Sequence, residues 1–335
     1  MFLHVFYMRK TEENVKNILK KLAKYFTFFM IIVTISFFLP RLIPGSPLYA
    51  LTGEGSGYSG EVPEAVMESF EAYYSPEKPI HQQFFQYLSN LAKFDLGTCF
   101  TYKTPVLDRI ITATKWTLQL SVPSMITGTF LAIILGVWMG MMAKDRGKLL
   151  VPPVLAVQAV PTFILAALTQ LVFAYQLGWF PATGAVTPGL SPGDVGYTAD
   201  LLKHMILPFI VLTVSEIPTM TIFVYNSTVK VKKEPYVSFA NYLGISKFKI
   251  YTQFIVKNIL PDIIGRINIQ FVLCIMGSLL VESVFSYPGI GALLRHATNY
   301  RDYPLMQGIL LTSCIYGIVI NLFFELFINR FLKSK

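Results

Sequence analysis

Apolar residues run along this chain in long blocks, separated by polar stretches rich in lysine, glycine and proline. Six blocks approach or exceed the ~20 residues a helix needs to cross the hydrocarbon of a bilayer. They cover about 22–43, 115–143, 149–175, 205–229, 262–284 and 305–329. The pattern predicts an all-α polytopic membrane protein with six transmembrane helices. Several blocks contain proline (Pro123, Pro152, Pro153, Pro161, Pro208, Pro218). Such prolines are tolerated in membrane helices because neighbours satisfy the backbone groups they free. Gly128, Gly136, Gly140 and Gly277 mark places where helices can approach closely.

The stretches between blocks carry their own periodicity. Residues 44–114 are too many for a simple connection, and PEAVMESFEAYY and PIHQQFFQYLSNLAKF read as short amphipathic helices of a small extracytoplasmic cap. Ile80, Phe84, Leu88 and Leu91 fall near one helical face. Segments 176–203 and 285–304, rich in Gly and Pro, read as loops on the same side. The basic segment 230–261 reads as helix, glycine turn, helix. Pro235 suits a first turn, and Tyr236, Phe239, Ala240 and Leu243 recur at helical spacing. Gly244 interrupts, Ser246 can cap a second helix, and Ile250, Phe254 and Ile255 continue an apolar side until Pro261. Such a passage either lies among anionic headgroups or docks a soluble partner.

Charge orients the helices. The chain is 53% hydrophobic and 14% charged, with a net charge of +9. The basic residues cluster at block ends, which points to membrane orientation and away from nucleic acid. With the N-terminus inside, segments 1–24, 144–148, 230–257 and 330–335 hold six, three, six and three Lys or Arg, 18 of the 28 in the chain. Both termini are expected in the cytoplasm. The first apolar block ends in PRLIPGSP without a small-residue cleavage site, so it reads as an uncleaved helix.

Enzymatic signatures are missing. There is no phosphate-binding Gly-Lys-Ser/Thr loop, no His-Glu-x-x-His and no Gly-x-Ser-x-Gly. His4, His81, His204 and His296 all fall outside the predicted spans, and Cys99, Cys274 and Cys314 lack metal-ligand spacing. Ionisable residues in or near spans are Glu216, Asp262, Arg266, Glu282 and Glu325. A charge inside a membrane is a functional candidate by default. Glu216, mid-span beside Ser215 and Pro218, either hydrogen-bonds structurally or lines a path. Glu282 closes the fifth span just before Tyr287-Pro288-Gly289 and Gly291, which favour a turned backbone. Segment 282–291 is therefore either an outer gate, with Phe285 and Tyr287 as plugs, or a surface turn.

The segment YVSFANYLGIS, followed by ILP, resembles the cytoplasmic coupling motif of ABC importer permeases, with Ala240, Gly244, Leu260 and Pro261 in the matching places. Ser238 stands where that motif has an acidic residue and Phe239 where it has a second alanine. RLIPGSP, FDLGTCF, TPVLDRI, VPTF, LGWFPATG, VESVFSYPGIGALL and RDYPLMQG then occur in order. Together they resemble the permease subunits of the dipeptide, oligopeptide and nickel importer family, from about residue 20 to the C-terminus. The resemblance implies a transmembrane domain over 22–335 after an extension at 1–21, in a bacterial or archaeal plasma membrane. It implies a second homologous permease, two cytoplasmic ATPase subunits holding ATP and Mg, and an extracytoplasmic binding protein. This chain would carry no cofactor and catalyse nothing itself. Tyr236, Phe239, Ala240, Leu243, Gly244 and Ile245 would then contact an ATPase. Glu216, Glu282, Phe285, Tyr287, Pro288 and Gly289 would belong to the path and its outer gate. Peptide is the favoured cargo, with nickel or its chelate, or an oligosaccharide, as alternatives. A stand-alone channel or carrier and a membrane enzyme are the competing classes.

Overall fold

The computed structural model describes residues 23–39, 41, 42, 71 and 78–331 of the 335. The expected extension at 1–21, the PEAVMESFEAYY helix and most of the expected cap lie outside the described residues. Those described are mostly helical and contain no strand; one isolated bridge joins Thr98 and Pro105. They fall into two compact units, one within Met1–Ile110 and His296–Val319, the other within Ile111–Arg295 and Ile320–Lys335.

Among the described residues, three helices are long and apolar enough to cross a membrane: α3 (Val106–Met141), α6 (Tyr197–Lys232) and α10 (Tyr303–Phe331). Two bent pairs raise the number to five if each counts as one crossing. The first expected span appears as α1 (Ala23–Leu39), below membrane length over its described residues. Both α3 and α6 begin well before the apolar blocks that announced them. Their opening turns carry Asp108 and Asp200, acids that suit the positive end of a helix dipole. Hydropathy alone cuts such turns off.

The expected single span at 149–175 is instead α4 (Val151–Gln158) and α5 (Thr162–Thr169, continuing as a π-helical turn over Gln170–Gln176), bent by 77°. Pro161 causes the break. It has no amide to donate, and it pushes the residue before it out of helical conformation.

In the first unit, α2 (Ile80–Ala92) lies against α1. Phe37 meets Phe84 edge-on at 5.1 Å, and Ser36 shares a 3.1 Å hydrogen bond with the Tyr87 hydroxyl. Tyr87 is the buried centre of this face and Ile80 is exposed, so the predicted face is rotated toward the tyrosine. Arg41 closes the contact: its guanidinium sits 3.6 Å from the Phe37 ring centre and donates to Gln83 Oε1 at 3.2 Å. The start of α10 is held by Asp302, which is fully buried. Its carboxylate accepts from the amide of Leu305, three residues on, as an N-cap does. It also accepts from the amide and hydroxyl of Thr101, at 3.1 and 3.2 Å.

The second unit joins α3 to α6 along a glycine stripe, as the sequence suggested. A side chain at Gly136 would meet Thr221 O and Val224 Cβ at 2.7 Å, and one at Gly128 would meet Glu216 Cβ at 3.0 Å. At Gly140 the neighbour is Thr228. An apolar cluster then ties Ala132 and Val137 of α3 and Met220 and Val224 of α6 to Ile259 and Ile263 of α8 (Lys257–Phe285). Where a loop was expected at 285–304, the chain forms α9 (Ile290–Asn299). The period Ile290, Leu294, Ala297 marks it, but the preceding Pro and Gly mask it in the sequence.

Asp302→Ala removes the cap of α10 and takes its acceptor from the Thr101 amide. A loss of about 1–3 kcal/mol in stability is expected. Asp302→Asn, which keeps an accepting oxygen, should lose markedly less. Thermal unfolding in detergent of the two variants checks the difference, and equal losses would show that the carboxylate is not the cap.

Candidate functional site

The segment at 230–261 forms the expected hairpin. Helix α7 (Pro235–Tyr242) begins with Pro235 in its first turn. It ends in a paired closure, with Gly244 N–H donating to Asn241 O at 3.1 Å and Ile245 N–H to Ala240 O at 3.2 Å. This two-bond C-terminal closure needs a left-handed residue, and Gly244 supplies φ +70°. The alanine-to-glycine spacing of four is therefore set by backbone hydrogen bonding. Ser246 accepts from the Lys249 amide and starts the return. That return runs through a π-helical stretch (Ile250–Val256) directly into α8. Pro261 does not end it but sits inside α8.

The hairpin has two faces. Val237 and Ala240 are buried with Ile250 and Ile255, and Ile245 packs beside them. Ala240, expected at a partner contact, thus seats α7 on its own bundle. The other face is apolar and open. Tyr236 is 40% exposed, Phe239 and Leu243 63%, Phe248 78% and Tyr242 90%. The sequence reading missed Tyr242 and Phe248, whose signal is the same helical period on the opposite side.

At the far end of α8 the chain turns sharply. Ser286 takes φ +50°, and Tyr287 N–H donates back to Glu282 O at 2.9 Å. A serine in this left-handed conformation is strained by about 1–2 kcal/mol, so the surroundings must impose it. Glu282 is one imposing group: it is fully buried and accepts the Gly291 amide at 2.7 Å. The hydroxyls of Thr117 and Ser278 also bond its carboxylate. A Cβ at Gly289 would collide with that carboxylate, which explains the glycine. Thr117 also accepts the Ile290 amide at 2.9 Å, joining α3 to the start of α9. Gln170 donates to Ala182 O at 2.8 Å and Val284 O at 3.1 Å, and Gly184 N–H reaches Phe285 O at 2.9 Å. Thr117 and Gln170 escaped the sequence reading, their only signal being a polar residue inside an apolar run.

Phe285 and Tyr287 are buried in the cluster of Leu120, Ala166, Val211 and Val281. Tyr287 stands edge-on to Trp116 at 5.7 Å. Both are core residues of the turn, and the turn itself, Ser286 to Gly289, is non-helical as expected. Gly291, read as part of the turn, lies within α9. Glu216 is apart from this assembly, half-buried in the middle of α6, with Arg266 of α8 as its charged neighbour.

Glu282→Leu leaves the Gly291 amide without its acceptor in the core, at a cost of about 1–3 kcal/mol. Glu282→Gln keeps an oxygen there and should unfold closer to wild type. Thermal midpoints in detergent, read with hydrogen exchange at 286–291, check this. Indistinguishable Leu and Gln variants would mean that the carboxylate does not hold the turn.

Comparison with known proteins bears on both ends of this structure. Residues 132–334 match the family described as binding-protein-dependent transport system inner membrane component. The glutathione transport system permease protein GsiC of Escherichia coli (strain K12) is 28% identical over 310 residues, covering 91% of this chain and 94% of the relative. The protein of the same name from Salmonella choleraesuis (strain SC-B67) is 29% identical with the same coverage. Among solved structures, an inward-facing form of the MetNI methionine ABC transporter aligns with TM-score 0.54 at 15% identity. It covers 67% of this chain and 96% of that one, a likeness of fold. The chain belongs to the family of inner membrane components of binding-protein-dependent transport systems, the permease subunits of ABC importers.

Proposed function

We propose that this permease forms half of the translocation path of an ATP-driven peptide importer. It pairs with a second homologous permease, is driven by two cytoplasmic ATPase subunits that hold ATP and Mg, and receives peptide from an extracytoplasmic binding protein. The observation that carries the coupling part is the open apolar face of the α7 hairpin. Its backbone is closed rigidly by the Gly244 turn, while Tyr236, Phe239, Tyr242 and Leu243 remain uncovered. A soluble chain seldom leaves so many adjacent large apolar side chains bare unless a partner covers them. Peptide as cargo is supported by the relatives named as glutathione permeases, since glutathione is itself a short peptide.

The same proposal has six crossings with both termini in the cytoplasm, α7 on the cytoplasmic side and the Glu282 turn on the outer side. The inner-segment excess of Lys and Arg supports that orientation. Gate closure then rests on the clasped turn from Glu282 to Gly289, with Phe285 and Tyr287 as its buried wedge. Glu216 lies on the path.

Two experiments test this reading. Phe239→Glu puts a charge on the open face without entering the core. It should abolish co-purification of the ATPase subunits and lower ATP-driven uptake roughly tenfold or more, the scale of a lost interface anchor. Normal co-purification and uptake would remove α7 as the docking element. Ala240→Arg is a poorer probe, because it unseats the helix itself. For orientation, Val195→Cys should react with a membrane-impermeant maleimide on intact cells and Tyr242→Cys only after permeabilisation. The reverse pattern would invert the topology.

A further inference from the structure

The face that joins α6 to α8 changes character along its length. On α6 the apolar row Val224 and Met220 leads one turn on to Glu216. On α8 the row Ile259 and Ile263 leads to Arg266 and, another turn on, to Gln270. A seam meant only to hold two helices together would continue with aliphatic residues. Here a carboxylate, a guanidinium and an amide follow instead.

None of the three is fully satisfied by this chain. Glu216 Oε2, Arg266 Nε and Gln270 Oε1 are buried atoms with no hydrogen-bond partner. Gln270 is only 4% exposed. Glu216 and Arg266 are near enough to interact as charges, yet these two atoms have not closed on each other. Beside Arg266 stands the ring of Phe223, 5.9 Å from the guanidinium carbon, a contact that steadies the cation without neutralising it. Buried polar groups inside membrane helices are costly when unbonded, so their placement calls for a ligand that bonds them.

We infer that Glu216, Arg266 and Gln270 form the substrate contact of this permease, built for a ligand with both a free ammonium and a free carboxylate. The ammonium sets against Glu216 and the carboxylate against Arg266, with Gln270, one turn beyond Arg266, bonding an amide of the ligand. The charges select this class. A metal cation is repelled by Arg266, a simple anion by Glu216, and a neutral sugar brings no counter-charge to either. Short peptides with unblocked ends satisfy all three groups. The inference rests on the peptide-importer reading and assigns the residues that read the cargo.

The test uses the assembled transporter (both permeases, the ATPases and the binding protein) in proteoliposomes, with glutathione and trialanine as probes. Wild type should take up at least one probe. Glu216→Gln and Arg266→Gln should each lower uptake roughly tenfold, the scale of one lost charged contact. ATP hydrolysis stimulated by the loaded binding protein should stay near wild type. The double variant should be no better than the weaker single one. Gln270→Met, which nearly preserves side-chain volume, should raise the KM for uptake with hydrolysis unchanged. Unchanged uptake in the single variants overturns the inference. So does recovery in the double variant, which would mean that the two charges only neutralise each other, or a loss of uptake matched by loss of assembled complex. Wild type that hydrolyses ATP with its receptor yet imports neither probe sinks the peptide reading and this inference together. Wild-type uptake with unaffected variants sinks this inference alone.

Discussion

A helix that ends or breaks in an apolar phase leaves amide and carbonyl groups with no water to bond, and each such group costs several kcal/mol. The irregular points within the bundle of this chain are answers to that constraint. Asp302 takes the free amides at the start of α10 and at Thr101. Glu282 and Thr117 take those at the start of α9. Gln170 donates to one carbonyl in the loop after α5 and to another near the end of α8. The polar side chains buried at these places are therefore part of the backbone's hydrogen-bond accounting, and their carboxylates and amides need no catalytic role.

The same constraint explains what could be read from the sequence and what could not. Long apolar blocks announce helices, and glycines at 128, 136 and 140 marked close approach, while the partner, α6, came only from the fold. The hairpin was legible because Pro235, Gly244 and Ser246 are local signals, each acting within a few residues. Long-range closures were not. Nothing near Thr117 says that it will meet Ile290, 173 residues on. Proline misled in both directions: Pro161 breaks a helix that hydropathy draws as continuous, while Pro261 sits inside one that it appeared to end. The amide that Pro161 lacks falls at a helix start, where an amide would be unpaired anyway. Faces misled as well, since Ala240 shares the period of an exposed helix yet points into the bundle.

Two kinds of buried polar group emerge, and the difference matters for function. Glu282 and Asp302 are held by several hydrogen bonds and belong to the architecture, even though Glu282 Oε1 is itself unbonded. Glu216, Arg266 and Gln270 retain unbonded atoms on a helix seam that is otherwise apolar. In a permease the first kind fixes where the chain turns. The second kind is where we infer that a passing solute is recognised.

The passage from the hairpin into the membrane has a mechanical side. From Lys247 the helical path continues to Leu273 without a loop, about 40 Å at the α-helical rise. Beyond the π-helical stretch the path is continuous helix through Pro261, so a displacement at the hairpin is carried on to the level of Arg266 and Gln270. The π-helical stretch at Ile250–Val256 is the exception in this stiff rod. Its wider turn is a point where helical register can slip by one residue, about 1.5 Å of travel with about 100° of rotation. A rod with one such joint converts a small axial thrust into a twist, and a twist is what turns a side chain from one neighbour to the next.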